Sequence, residues 1–233
     1  MKMKRLSVLL AVVMLLGSLS VFALAENDAD EALTWTTGNG YGSVVENKDG
    51  TASFTGDAEL NSDNSHCGPY TKDGATAIAD GDITDELDIM IDPLSMEAGE
   101  KFALSVSIND AAGAYKTELV VNFFATGSKS VAVAIGMAPE FKTSLTEAGV
   151  YTLKYRYYDN EGKLFAEFAV EKDGEVVAKA EAIDMKVNTA DCGKRGYIWF
   201  CDISFDGGLR VGTPAVQDAP VLLPGDWVTE GGY

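Results

Sequence analysis

The sequence predicts an all-β fold, a two-sheet antiparallel jelly-roll sandwich, on three observations. Apolar residues recur at every second position through most of the chain, the period of a strand with one face turned inward. Gly, Asp and Asn punctuate those runs about every ten residues. Helical periodicity is nearly absent beyond the first 25 residues. Many short strands at that spacing suit a sandwich or barrel better than βαβ units.

The first residues belong to another class of segment. Lys2, Lys4 and Arg5 precede the apolar run Leu6 to Leu16, and Gly17 to Ala25 ends in a small-x-small pattern. These are the positive region, apolar region and cleavage site of a secretory signal peptide spanning residues 1–25, with cleavage expected after Ala25. The apolar run falls short of the roughly 20 residues that cross a bilayer, and no cysteine follows it to carry a lipid. A secreted, extracellular protein without membrane insertion is expected.

Along the mature chain, residues 26–34 lack strand patterning and read as a loose segment. Ser43 to Glu46 and Thr51 to Thr55 flank Asn47-Lys48-Asp49-Gly50, a hairpin with its turn. Phe102, Leu104, Val106 and Ile108 alternate with Ala103, Ser105, Ser107 and Asn109, so one face is expected to be buried and the other wet. Leu119 to Ala125 and Ser130 to Ile135 form further strands around Gly127. Ala138 to Ala148 is the only stretch where a short helix is expected. Tyr151, Leu153, Tyr155 and Tyr157 alternate with Thr152, Lys154 and Arg156, and Leu164, Ala166, Phe168 and Val170 repeat the pattern. With turns at Asp159-Asn160-Glu161-Gly162 and Lys172-Asp173-Gly174-Glu175, residues 150–184 make a three-stranded meander. One domain over residues 35–212 follows, with an irregular tail over 213–233, where Pro214, Pro220 and Pro224 interrupt ladder hydrogen bonding.

Cleavage leaves 208 residues with 15 basic against 36 acidic side chains, a net charge of −21. That sign excludes nucleic acid and anionic membrane surfaces as partners, since both are bound through clustered Lys and Arg. Three cysteines remain, Cys67, Cys192 and Cys201, which allow one disulfide and one thiol. Cys67 with Cys192 is the preferred pair, because Cys201 lies in an aromatic strand pattern that suits a buried thiol.

Few residue patterns carry chemistry. Glu86, Asp88, Met90 and Asp92 share one strand face. The string Glu86-Leu87-Asp88-Ile89-Met90 resembles the Glu-x-Asp-x-Glu signature of retaining β-glucanases, whose first Glu is the nucleophile and last the acid/base. Met90 stands at the acid/base position here, and Asp92 lies about 20 Å along the strand from Glu86. A retaining mechanism needs two carboxyls about 5 to 5.5 Å apart, so the pair is broken. His66 is the only histidine and neighbours Cys67 in the chain, without metal-ligand spacing. Asp80, Asp82 and Asp85 pack carboxylates into a glycine-containing loop, a candidate calcium site set against plain turn chemistry. Tyr155, Tyr157, Tyr158, Tyr197 and Trp199 offer rings that stack on sugar faces where they are exposed, and core packing where they are not.

Gly68-Pro69-Tyr70-Thr71, then Ile83 to Pro93, then Arg195-Gly196-Tyr197-Ile198-Trp199-Phe200 and Gly207-Gly208-Leu209-Arg210-Val211 resemble, in that order, the strand motifs of concanavalin A-like, LamG-like sandwich modules of secreted bacterial proteins. The resemblance spans about residues 35–212 and implies two antiparallel sheets. It implies function loosely, because that superfamily holds lectins, glucanases and adhesion modules. The expectation is a non-catalytic, lectin-like glycan-binding module using Tyr155, Tyr157, Tyr197 and Trp199. The alternatives are an adhesive cell-envelope module that binds protein, and a glycoside hydrolase using Glu86.

Overall fold

A computed structural model describes residues 35–38, 41–56, 68–72, 77–204 and 208–215. The signal segment, residues 26–34, His66, Cys67 and the tail from residue 216 lie outside the described residues.

Thirteen strands are described: β1 (Ser43–Glu46), β2 (Ala52–Thr55), β3 (Tyr70–Lys72), β4 (Ile83–Ile91), β5 (Lys101–Asn109), β6 (Tyr115–Ala125), β7 (Val131–Ile135), β8 (Ala138–Leu145), β9 (Gly149–Asn160), β10 (Lys163–Lys172), β11 (Glu175–Asn188), β12 (Lys194–Cys201) and β13 (Leu209–Val211). One sheet has seven strands in the order β1-β2-β13-β4-β9-β10-β11, the other six in the order β3-β12-β5-β6-β7-β8. Every pairing is antiparallel. The fold is the predicted jelly-roll sandwich.

The hairpin and the meander form where the alternation and turn residues place them. Asn47 to Gly50 turns β1 into β2, and Gly162 and Gly174 supply the positive φ of the two meander turns, +81° and +79°. The inward residues of the two sheets meet in an apolar core in which Phe102 stacks on Phe123 at 4.2 Å and Phe54 meets Phe200 edge-on at 5.7 Å. Burying a side chain of that size contributes about 1.5–3 kcal/mol.

Two expectations are corrected. Ala138 to Leu145 is strand β8, paired with β7, and not a helix. Its buried residues Ala138, Phe141 and Leu145 do fall at helical spacing. The cause is a register break between Ala134 and Ile135, which shifts which β8 residues face inward. The other correction concerns β5, whose second face is not wet. Ser105 and Ser107 are 2% and 0% exposed, because side chains from β12 and β6 close over this central strand.

Candidate functional site: an aromatic face on the six-stranded sheet

The two sheets treat their tyrosines oppositely. β9 pairs with β4 and β10 in the middle of the seven-stranded sheet, and its odd-numbered residues point at the opposing sheet. Tyr155 and Tyr157 are therefore in the core, 3% and 0% exposed, and do not reach a ligand-binding face. That corrects the expectation that they bind. The Tyr155 hydroxyl donates to Asp85 Oδ2 at 2.6 Å, and the Arg195 guanidinium approaches the same carboxylate at 3.5 Å while donating to Thr71 Oγ1 at 3.2 Å. Burial, reinforced by the Asp85 charge, holds the Tyr155 phenol well above its ordinary value. Tyr158 does face outward, under the Arg156 guanidinium at 4.6 Å.

Tyr197 and Trp199 lie on the outer face of β12, half-buried, and the structure adds residues that sequence reasoning missed. Trp199 is the cross-strand partner of Tyr70, so their rings share one face. Tyr41 packs on Tyr70 at 4.6 Å and on Trp199 at 6.3 Å, and Tyr197 meets Trp199 edge-on at 5.9 Å. Tyr115, at the start of β6, is 57% exposed, and its phenol is raised by burial and then by the Glu118 charge. Tyr41, Tyr70, Trp199 and Tyr197 form an aromatic band across the outer face, and Tyr115 acts on the Tyr197 phenol electrostatically.

Two backbone devices build it. β12 carries a bulge between Arg195 and Ile198 opposite β5, and the Tyr197 N–H donates to Ser107 Oγ at 3.0 Å. Gly196 allows the close approach, since a Cβ there would stand 2.5 Å from the Ser107 hydroxyl and the Asn109 amide. At the other end, Trp199 Nε1 donates to the Gly68 carbonyl at 2.7 Å. Gly68 has φ +148°, and a Cβ there would stand 1.7 Å from the Phe200 carbonyl oxygen.

One carboxylate sits against the band. Glu118, on β6, accepts the Tyr197 hydroxyl and the Ser105 hydroxyl on Oε2, each at 2.7 Å. The Tyr197 phenol is raised well above its ordinary value by burial, then by its bond to this carboxylate. No motif marked Glu118, because its partners are about a dozen and about eighty positions away in the chain.

The other expected groups are dispersed. Glu86 is on the outer face of the seven-stranded sheet, 59% exposed, 3.4 Å from Lys154 Nζ, which also pairs with Glu171 at 2.9 Å. Asp88 accepts from Thr152 at 2.6 Å beside it. Asp82 pairs with Arg156 at 2.7 Å on that outer face, while Asp85 turns inward to Tyr155, and Asp80 lies exposed in a 3-10 turn, Ile78–Asp80. The structure does not bring Asp80, Asp82 and Asp85 together. Among the described residues no group of three or more His, Cys, Asp or Glu is placed to hold a metal ion. Cys192, two residues before β12, and Cys201, its last residue, are both half-buried, so Cys201 is less enclosed than the buried thiol expected.

No family model matches the chain, and no curated protein matches it. Solved structures similar to it include the CBM2 module of Lactobacillus casei BL23 phage J-1 evolved Dit, at 11% identity and TM-score 0.48, covering 79% of this chain and 88% of that one. A Lotus tetragonolobus seed lectin is similar at 11% identity and TM-score 0.43, covering 78% and 89%. A Bacillus licheniformis beta-glucanase is similar at 10% identity and TM-score 0.39, covering 82% and 84%.

Proposed function

We propose that the protein is a secreted, non-catalytic glycan-binding module whose binding surface is the aromatic face of the six-stranded sheet. The observation that carries this reading is the run of rings Tyr41, Tyr70, Trp199 and Tyr197, which ends at the Glu118 carboxylate that accepts the Tyr197 hydroxyl and whose charge acts on Tyr115. Flat rings stack on the apolar faces of sugars, and a fixed carboxylate accepts sugar hydroxyls. The secreted address rests on the signal peptide read in residues 1–25. The non-catalytic part is supported by Glu86, which is exposed on the other sheet's outer face and paired with Lys154, the lysine that also holds Glu171. Calcium at Asp80, Asp82 and Asp85 is no part of the reading, because Arg156 and Tyr155 already engage Asp82 and Asp85.

Glycan-array binding by the mature protein, with and without calcium, tests it. Binding that Trp199→Ala abolishes supports the reading, and a flat array under both conditions sinks it.

An adhesive cell-envelope module that binds protein is the second reading. The observation favouring it is Phe124, 41% exposed on the same outer face, since exposed aromatic side chains also anchor protein interfaces. Capture of an envelope protein that survives competing sugars would favour this one.

A further inference from the structure

We infer that the aromatic face selects neutral glycans and rejects acidic ones, with Glu118 as the selecting group; this rests on the glycan-binding reading above. Glu118 Oε2 is occupied by two neutral hydroxyl donors, Tyr197 and Ser105. Among the side chains that are described, no Lys or Arg nitrogen lies within ion-pair distance of this carboxylate, and none of their hydrogen bonds falls on Oε1. The nearest lysine along the same face of β6, Lys116, is drawn away by Asp110 at 3.4 Å. The described groups that hold the charge are neutral hydroxyls, both bonded to Oε2, which leaves Oε1 to accept a further donor.

A sugar hydroxyl satisfies that oxygen by donating to it, a charge-assisted bond. A uronate or sialate carboxylate cannot donate at neutral pH. Brought beside a half-buried carboxylate, it meets a repulsion strengthened by the reduced local dielectric. The mature chain's net charge of −21 adds a longer-range repulsion of any polyanion, which salt screens. Selection here works by an element that repels the wrong ligand as well as one that attracts the right one. The ligand class is thus a neutral, hydroxyl-rich oligosaccharide.

Calorimetric titration of the mature protein tests this, with neutral gluco-, xylo- and manno-hexasaccharides set against hexasaccharides from polygalacturonate and alginate. Wild type is expected to bind a neutral probe and to bind the acidic ones at least about tenfold more weakly. Glu118→Gln keeps the shape and an acceptor for Tyr197 and Ser105, and is expected to narrow that gap about tenfold. A wild-type preference for acidic probes, or a gap that Glu118→Gln leaves unchanged in a folded variant, overturns the inference while leaving glycan binding intact. Should the variant not fold, salt dependence of the wild type decides. Added NaCl relieves a repulsion, so residual affinity for acidic probes should rise, and a fall overturns the inference. Binding of neither class sinks the glycan reading and this inference with it.

Discussion

The Tyr157 hydroxyl donates to the Val106 carbonyl at 2.6 Å and accepts the Leu119 N–H at 2.9 Å, so one side chain from the seven-stranded sheet stands in the ladder of the six-stranded one. Val106 and Leu119 are cross-strand partners on β5 and β6. Burial raises the phenol far above its ordinary value, so the hydroxyl stays protonated and able to donate. A second link, Thr117 Oγ1 to the Met185 carbonyl at 3.2 Å, joins the sheets nearby.

Tyr157→Phe is therefore expected to cost about 1–3 kcal/mol, the penalty for leaving buried backbone groups without their partner. Urea denaturation measures it. Glycan affinity should not change, and a variant as stable as wild type would show that the two strands close the gap by themselves.

Trp199 and Tyr155 offer a contrast between face and core. Trp199→Ala should abolish glycan binding, and Tyr155→Phe should leave affinity within about twofold while lowering stability by about 1–2 kcal/mol, because Asp85 loses a buried donor. Paired titration and melting experiments check both. Lost binding in a stable Tyr155→Phe protein would contradict the placement of the site.

Gly68→Ala should lower both stability and affinity. Its new Cβ would fall 1.7 Å from the Phe200 carbonyl oxygen, so the backbone that receives the Trp199 indole must move. A loss above about 2 kcal/mol is expected by calorimetry. An unchanged melting temperature would argue against this close approach.

Glu86→Gln is expected to change stability by less than about 0.5 kcal/mol, as for an exposed ion pair. Neither protein should release reducing sugar from β-glucan. Release by wild type that the variant lacks would make Glu86 a nucleophile after all.

Acid should expose the carboxylates of the turns. Asp110 is lowered from the ordinary 3.8 by the Ala114 N–H first, then by the Ala112 N–H and Lys116. A depressed folded value contributes stability above the unfolded value and loses it as pH falls through the folded one. The stability gap between wild type and Asp110→Asn should thus be constant near pH 6 and shrink below 3.8. Unfolding curves at several pH values check it, and a gap that widens in acid would contradict it.

The sequence by itself determined the sandwich, the hairpin, the meander and the apolar core, because alternation and turn residues are properties of near neighbours in the chain. It also marked Tyr197 and Trp199 as candidates. Only the tertiary structure decided which aromatic residues face outward, since Tyr155 and Tyr197 sit in equally regular alternations. Which side of a strand is inside depends on the sheet that packs against it. Ser105 shows the same limit: it reads as a wet position and is covered by residues about thirteen and ninety positions away. Glu118, Tyr70 and Tyr41 joined the site for that reason too, brought beside β12 by cross-strand register and ring packing that no local pattern records.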